Sequence, residues 1–320
     1  MYTADRRRVV VIGAGRVGSH CAMSLIPGHL VDEIVLIDAN KDFAQAQATD
    51  LADFSCGMGS GVRVRPGTYH DCDEASFVLV TAGRGRRKGE SRLDLLRDTL
   101  GVLENIADNL SATSFDGMLV CVTNPVDVAA EYLVRRLSLP ASQVVGTGTA
   151  LDTIRLKRIL AAGTMLDVGQ IQGFCMGEHG DSSFVAWSHV SVGGVPIEEY
   201  VRMRPELEQR VAFAQVQQQI HESGASIIGG KGCTEFGVGS IVTELIVAVS
   251  RNEKRILPLS VHLDGQYGEK DICVGTPCVI GKHGVEQVLE VDLRFDEQDL
   301  MRRSCAIVRN ALPTELMADA

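Results

Sequence analysis

His179 stands between glycines in Gly177-Glu178-His179-Gly180-Asp181, a setting that places an imidazole in a loop rather than in a core. An unperturbed imidazole titrates at about 6.5, so this side chain suits a proton donor and acceptor near neutral pH. A lone loop histidine can equally serve structure, and a catalytic one needs a carboxylate to orient its ring. Asp152 in TALDTIRLKR is the candidate, although the first turn of a helix favours an acid with no further role. Arg155, three residues on, shares its helix face. In apolar surroundings an Asp–Arg pair is either a salt bridge or a place to hold an anionic substrate.

A second constellation begins at Gly13-Ala14-Gly15-Arg16-Val17-Gly18, which follows the apolar run RVVVI and opens a helix. Glycines there let the backbone approach a diphosphate at the helix N-terminus. Asp38 ends the next apolar run, 20 residues beyond Gly18. An acid at that place bonds ribose hydroxyls and repels a 2′-phosphate, which favours NAD over NADP. A flavin or S-adenosylmethionine site on a similar fold is the alternative. Asn124, in VTNP, closes a further apolar run and points toward a cleft, unless it is only a turn residue before proline. Residues 81–92, TAGRGRRKGESR, collect Arg84, Arg86, Arg87, Lys88 and Arg92 around the single acid Glu90, in a chain with 41 acids and 31 bases. Such an island is either a solvated loop or a lid that recognises an anion.

These residues need elements to carry them. Strands are expected at Arg8–Ile12, Glu33–Asp38, Val62–Pro66, Phe77–Ala82 and Gly117–Thr123, with helices between them, including Lys41–Phe54 and Ser91–Leu110. Continuous apolar strands alternating with helices imply a parallel sheet covered on both faces. From about residue 147 the texture is mixed α+β. Helices are expected at Leu151–Ala162, Glu206–Ile228, Thr234–Arg251 and 296–311, strands at Ile171–Cys175 and Phe184–Val192, and hairpins near 255–280. The expected division is therefore a doubly wound α/β domain over 1–146 and an α+β domain over 147–320.

At 320 residues the chain can bury a sizeable core. No apolar run reaches the roughly 20 residues of a membrane helix, and a pI near 5.3 argues against a general nucleic-acid binder. Nine cysteines without CxxC spacing read as reduced thiols, hence a cytoplasmic protein with no metal centre.

GAGRVG, Asp38, TAG with GESR, VTNP, LDTIR, GEHGD and KGCT occur in this order, and together they resemble the L-lactate/L-malate dehydrogenase family across residues 8–310. The resemblance implies a Rossmann NAD-binding domain, a substrate domain, a small 2-oxo or 2-hydroxy acid substrate, and a homodimer or homotetramer. It implies His179 as the proton donor and acceptor, Asp152 as its orienting acid and Arg92 as the group polarising the ketone. Arg155 would hold the substrate's C1 carboxylate, with Asn124 and Thr234 lining the pocket. Cofactor contacts would come from Gly13, Gly15, Val17, Gly18, Asp38, Thr81, Ala82, Gly83, Val122 and Asn124. Arg86 falls where lactate enzymes usually carry glutamine and malate enzymes an arginine for the second carboxylate. GESR, GTGTALDT, GEHGDSS and KGCT look like lactate dehydrogenases instead. Two rival classes are an NAD- and metal-dependent glycoside hydrolase using Cys175 with His179, and a catalytically inert NAD-binding regulator.

Overall fold

The computed structural model describes residues 7–83 and 92–313, apart from the side chains of 92–95. The first strand, β1 (Arg8–Ile12), is buried along its whole length, as its β-branched run requires. After α1 (Arg16–Leu25) the chain enters β2 (Glu33–Ile37), which pairs parallel to β1. Asn40 caps α2 (Lys41–Gly57) by accepting the Phe43 N–H, and β3 (Arg63–Pro66) then lies beside β2. The chain crosses back to β4 (Phe77–Val80) on the other side of β1, followed by α3 (Arg92–Ser111), β5 (Met118–Cys121), α4 (Val126–Arg136) and β6 (Val144–Gly146). The parallel part therefore runs β6-β5-β4-β1-β2-β3, a doubly wound sheet with helices on both faces.

The second half starts with α5 (Ala150–Thr164), then five two-residue strands: β7 (Ile171–Gln172), β8 (Cys175–Met176), β9 (Phe184–Val185), β10 (Ser191–Val192) and β11 (Val195–Pro196). Helices α6 (Ile197–Met203), α7 (Phe213–Lys231) and α8 (Phe236–Ser250) follow, α7 and α8 meeting at a corner bent by 120°. No single helix among the described residues is long and apolar enough to cross a membrane. The strands β12 (Arg255–Asp264), β13 (Lys270–Gly281) and β14 (Gly284–Val288) form an antiparallel meander, and α9 (Phe295–Ala311) closes the described chain. β12 attaches antiparallel to β6 through Ser260 and Gly146, so the meander extends the parallel sheet to nine strands.

Three local expectations are corrected. The run Ile171–Cys175 is not one strand, because Gly173 takes φ +144° and sends β7 and β8 into different sheets. Phe184–Val192 is interrupted by a 3-10 turn at Trp187–His189, where the Glu297 carboxylate takes the Ser188 N–H at 2.9 Å and its hydroxyl at 2.5 Å. The helix expected from Glu206 begins at Phe213. Before it, Leu207 and Val211 turn inward into the core, with Val211 packed over Gly163 of α5. α4 and β6 are additional elements between residues 123 and 147.

Candidate active site

The turn after β1 is built for close approach. Gly13 has φ +102°, and a Cβ there would lie 2.5 Å from the Ala82 nitrogen; a Cβ on Gly18 would collide with the Gly13 carbonyl. The Thr81 hydroxyl donates to that carbonyl at 2.7 Å, and the Thr123 hydroxyl donates to the Ala82 carbonyl at 2.7 Å. The segment 81–83 is thereby pinned against the glycine turn, with Val122 buried beside it and Gly83 exposed. A Cβ on Gly15 would meet open space, and Gly15 caps α1 without a side-chain bond. The first-turn N–H groups of α1, which includes Val17, are therefore available to an anion. Asp38, at the end of β2, accepts the Ala14 N–H at 2.9 Å and the Asn40 N–H at 3.0 Å. These residues fit an adenine dinucleotide with a free ribose diol.

The proton-handling group lies where α5 meets the loop after β8. Asp152, in the first turn of α5, is buried; its Oδ1 accepts from Arg155 Nη1 at 3.0 Å and its Oδ2 faces His179 Nδ1 at 2.7 Å. An ionised carboxylate only accepts, so Nδ1 carries a proton and Nε2 is the nitrogen left to exchange one. The ring retains 22% exposure, which keeps it reachable. Burial pushes the His179 pKa down, but the charge and hydrogen bond of Asp152, with the charge of Asp127, outweigh it and raise the pKa to about 9. Burial pushes Asp152 up, yet His179 and Arg155 hold it below the ordinary carboxylate range. The Arg155 guanidinium lies under Gly224 of α7, where a Cβ would sit 3.6 Å from both terminal nitrogens.

His179, Asp152 and Arg155 thus form one connected group. Asn124 is exposed three residues beyond the C-terminal end of β5, followed by a cis peptide to Pro125, and Thr234 is half-buried on the α7–α8 corner; both lie outside that hydrogen-bonded group. Arg92 opens α3, but its side chain and all of Arg86 are outside the described residues.

Among the described residues the only metal-capable trio is Glu131, His262 and Cys273. Arg135 and His262 already occupy the two Glu131 oxygens, at 2.6 and 2.9 Å. Cys175 is fully buried, with its thiol pKa pushed well up by burial and by Asp152, and His179 Nδ1 is taken by that same acid. Neither arrangement favours a metal-dependent hydrolase.

Two family models cover nearly the whole chain: the NAD binding domain of lactate/malate dehydrogenase over residues 7–146, and the alpha/beta C-terminal domain of the same family over 149–316. The chain belongs to the lactate/malate dehydrogenase family. It is an oxidoreductase whose cofactor is NAD. It is 40% identical to L-lactate dehydrogenase 1 of Bifidobacterium longum over 309 residues, covering 97% of this chain and 98% of that one. L-lactate dehydrogenase 3 of Bacillus cereus is 35% identical over 308 residues, covering 96% and 98%. The fold matches the minor L-lactate dehydrogenase of Enterococcus mundtii in its ligands-bound form with TM-score 0.93, 36% identity and coverage of 97% and 99%. The malate dehydrogenase of Cryptosporidium parvum matches with TM-score 0.91, 26% identity and coverage of 98% and 99%.

One residue of this dehydrogenase's site escaped sequence reasoning. Asp127, in the first turn of α4, is 2% exposed; its Oδ2 accepts the His179 N–H at 2.7 Å and its Oδ1 accepts the Ser260 hydroxyl at 2.6 Å. Burial pushes its pKa up to about 6, against the hydrogen bonds that favour its charge. In the sequence Asp127 resembles any acid at a helix start, and its partners lie 52 and 133 residues away. Asp127→Ala is expected to lower unfolding free energy by about 1–3 kcal/mol for each donor it orphans, measured by urea denaturation. Asp127→Asn can accept from His179 and donate to Ser260, so it should recover most of that loss. Equal destabilisation by both variants would count against these two bonds.

Proposed function

We propose that this chain catalyses reversible oxidoreduction between a small L-2-hydroxy acid and the corresponding 2-oxo acid, with Arg86 tilting its preference toward oxaloacetate and L-malate. The observation that carries the reaction type is the buried Asp152 shared between His179 Nδ1 and Arg155 Nη1. NAD, when bound, supplies the hydride acceptor or donor. Gly13, Gly15 and Gly18 give its diphosphate room, Val17 and residues 81–83 flank it, and Asp38 takes the ribose hydroxyls. Arg155 holds the substrate's C1 carboxylate, a match to the planar guanidinium. His179 Nε2 gives a proton to the ketone oxygen in reduction and removes the hydroxyl proton in oxidation, while Asp152 stabilises the imidazolium. Arg92 polarises the same oxygen as charge develops on it. Asn124 and Thr234 line the pocket. Assembly into a homodimer or homotetramer belongs to the same proposal, and exposed Ile228 and Phe236 at the α7–α8 corner offer apolar surface for it.

Arg86 decides the second specificity element. Closed over the methyl group of pyruvate, it would be a desolvated, unpaired cation at a cost of about 3–5 kcal/mol. Oxaloacetate offers it a carboxylate. The names of the bacterial relatives favour the second reading, an L-lactate dehydrogenase that takes pyruvate. The deciding experiment is kcat/KM with NADH for pyruvate and oxaloacetate, on the wild type and on Arg86→Gln. Selective loss of oxaloacetate activity in the variant supports the Arg86 assignment. A strong wild-type preference for pyruvate that the variant leaves unchanged sinks it and leaves the lactate reading standing.

A further inference from the structure

A cluster of charges joining α1 to the α7–α8 corner has no part in the chemistry above. Arg16, the first residue of α1, lays the edge of its guanidinium along Glu235: Nε is 3.0 Å from Oε2 and Nη2 is 3.1 Å from Oε1. Its Nη1 donates to the Lys231 carbonyl at 2.7 Å, a C-terminal group of α7 that the helix itself leaves unbonded. Lys231 reaches across the corner to Glu235 at 2.5 Å, and the Cys233 thiol donates to Glu235 Oε2 at 3.0 Å. His20, one turn beyond Arg16, sets its ring edge-on to Phe236 at 5.0 Å. Glu235 is 3% exposed although it lies in a connecting loop, whereas the Arg16 side chain is 54% exposed.

The corner itself is short. Between Lys231 and Phe236 stand Gly232, in the left-handed region at φ +92°, then Cys233, Thr234 and Glu235. Beyond it, α8 is seated on α1, where a Cβ on Gly239 would strike the Ser24 hydroxyl. The ends of the corner are also braced by Lys231 over the Phe236 ring at 3.7 Å, and His20 comes within 3.8 Å of Glu235, but the hydrogen-bonded hold on Glu235 from outside the corner is Arg16. Arg16 begins the same helical turn whose N–H groups face the dinucleotide's diphosphate position.

We propose that Arg16 and Glu235 form a clasp that positions Thr234 for the 2-oxo acid and ties that position to the cofactor turn. Both are positioning residues, and the proposal rests on the reaction assigned in the preceding section. A guanidinium that pairs edge-on with a buried carboxylate, one hydrogen bond backed by a second close approach, is a charge-assisted contact stronger than a neutral one. Its loss frees the corner without touching His179, Asp152 or Arg155.

The test is a double-mutant cycle on Arg16→Gln, Glu235→Gln and the double variant, reading KM for the 2-oxo acid, kcat, the NADH dissociation constant and Tm. Each single variant is expected to raise the 2-oxo acid KM about tenfold, with kcat and NADH binding changed by no more than about threefold. The double variant should fall well short of the product of the two single effects, because the Arg16–Glu235 contact is lost in both, while Glu235 also loses Lys231 and Cys233 and Arg16 the Lys231 carbonyl. Single-variant effects that multiply in the double variant would overturn the clasp. So would a lowered Tm with unchanged KM, which is the signature of a structural salt bridge alone. Absence of wild-type turnover with either pyruvate or oxaloacetate would overturn the reaction assignment and the clasp together, whereas normal wild-type turnover with unchanged variant KM would overturn the clasp only.

Discussion

An Asp152→Asn enzyme is expected to lose roughly two to four orders of magnitude in kcat/KM for the 2-oxo acid while still binding NADH. Asp152 lies 2.7 Å from Nδ1 of His179 and opposes the burial that would otherwise keep that imidazole neutral. With the carboxylate in place, the pKa stands at about 9 against an ordinary 6.5. Reduction needs the protonated ring, so wild-type kcat/KM for the 2-oxo acid should be level at neutral pH and fall as pH rises through about 9. Oxidation needs the neutral ring and should rise over the same interval. Removing the Asp152 charge lets burial dominate, and the limb should move to lower pH. A limb that stays where it was in Asp152→Asn would show that another group controls it. The raised pKa also contributes stability that is fully present below 6.5 and lost as pH climbs through about 9.

Arg155→Leu should be nearly as damaging, by a different route. The guanidinium is buried, bonds Asp152 at 3.0 Å, and lies against Gly224 of α7, whose missing side chain leaves room beside it. Two charge-assisted hydrogen bonds to a substrate carboxylate are worth about 3–6 kcal/mol together, which converts to roughly 10²–10⁴ in kcat/KM. Arg155→Lys keeps the charge without the fork and should recover only part of the loss. The NADH dissociation constant should stay near the wild-type value in both variants. If Arg155→Leu binds the 2-oxo acid as tightly as the wild type, the carboxylate is held elsewhere.

Local pattern made much of this legible. RVVVI and EIVLI announce buried parallel strands, and the placement of GAGRVG between them announces the dinucleotide turn, because both signals depend on near neighbours in sequence. Asp152 and Arg155 share a helix face by their spacing alone. The pairing of Asp152 with His179 joins positions 27 residues apart; family resemblance anticipated it, and periodicity could not. α4 went unplaced because VDVAAEYLVRR follows Asn124-Pro125, which reads as a turn; in the fold Val126 to Leu133 are all buried, Asp127 and Glu131 among them. Asp127, Glu235 and Arg16 gain their meaning only from contacts across the fold. The short strands β7 to β11 are too brief for any periodicity to mark them.

The join of β12 to β6 through Ser260 and Gly146 bears on how this enzyme could be recombined with its relatives. Residues 146–149, where the two family models meet, look like a natural crossover point for chimeras. Yet a cut there severs a hydrogen-bonded sheet, and Asp127 on the first half holds both Ser260 and the His179 backbone on the second. An N-terminal half made alone would present β6 as a bare edge, open to pairing with another copy. A chimera joined there must therefore match β12, Ser260 and the His179 loop of one parent to β6 and Asp127 of the other.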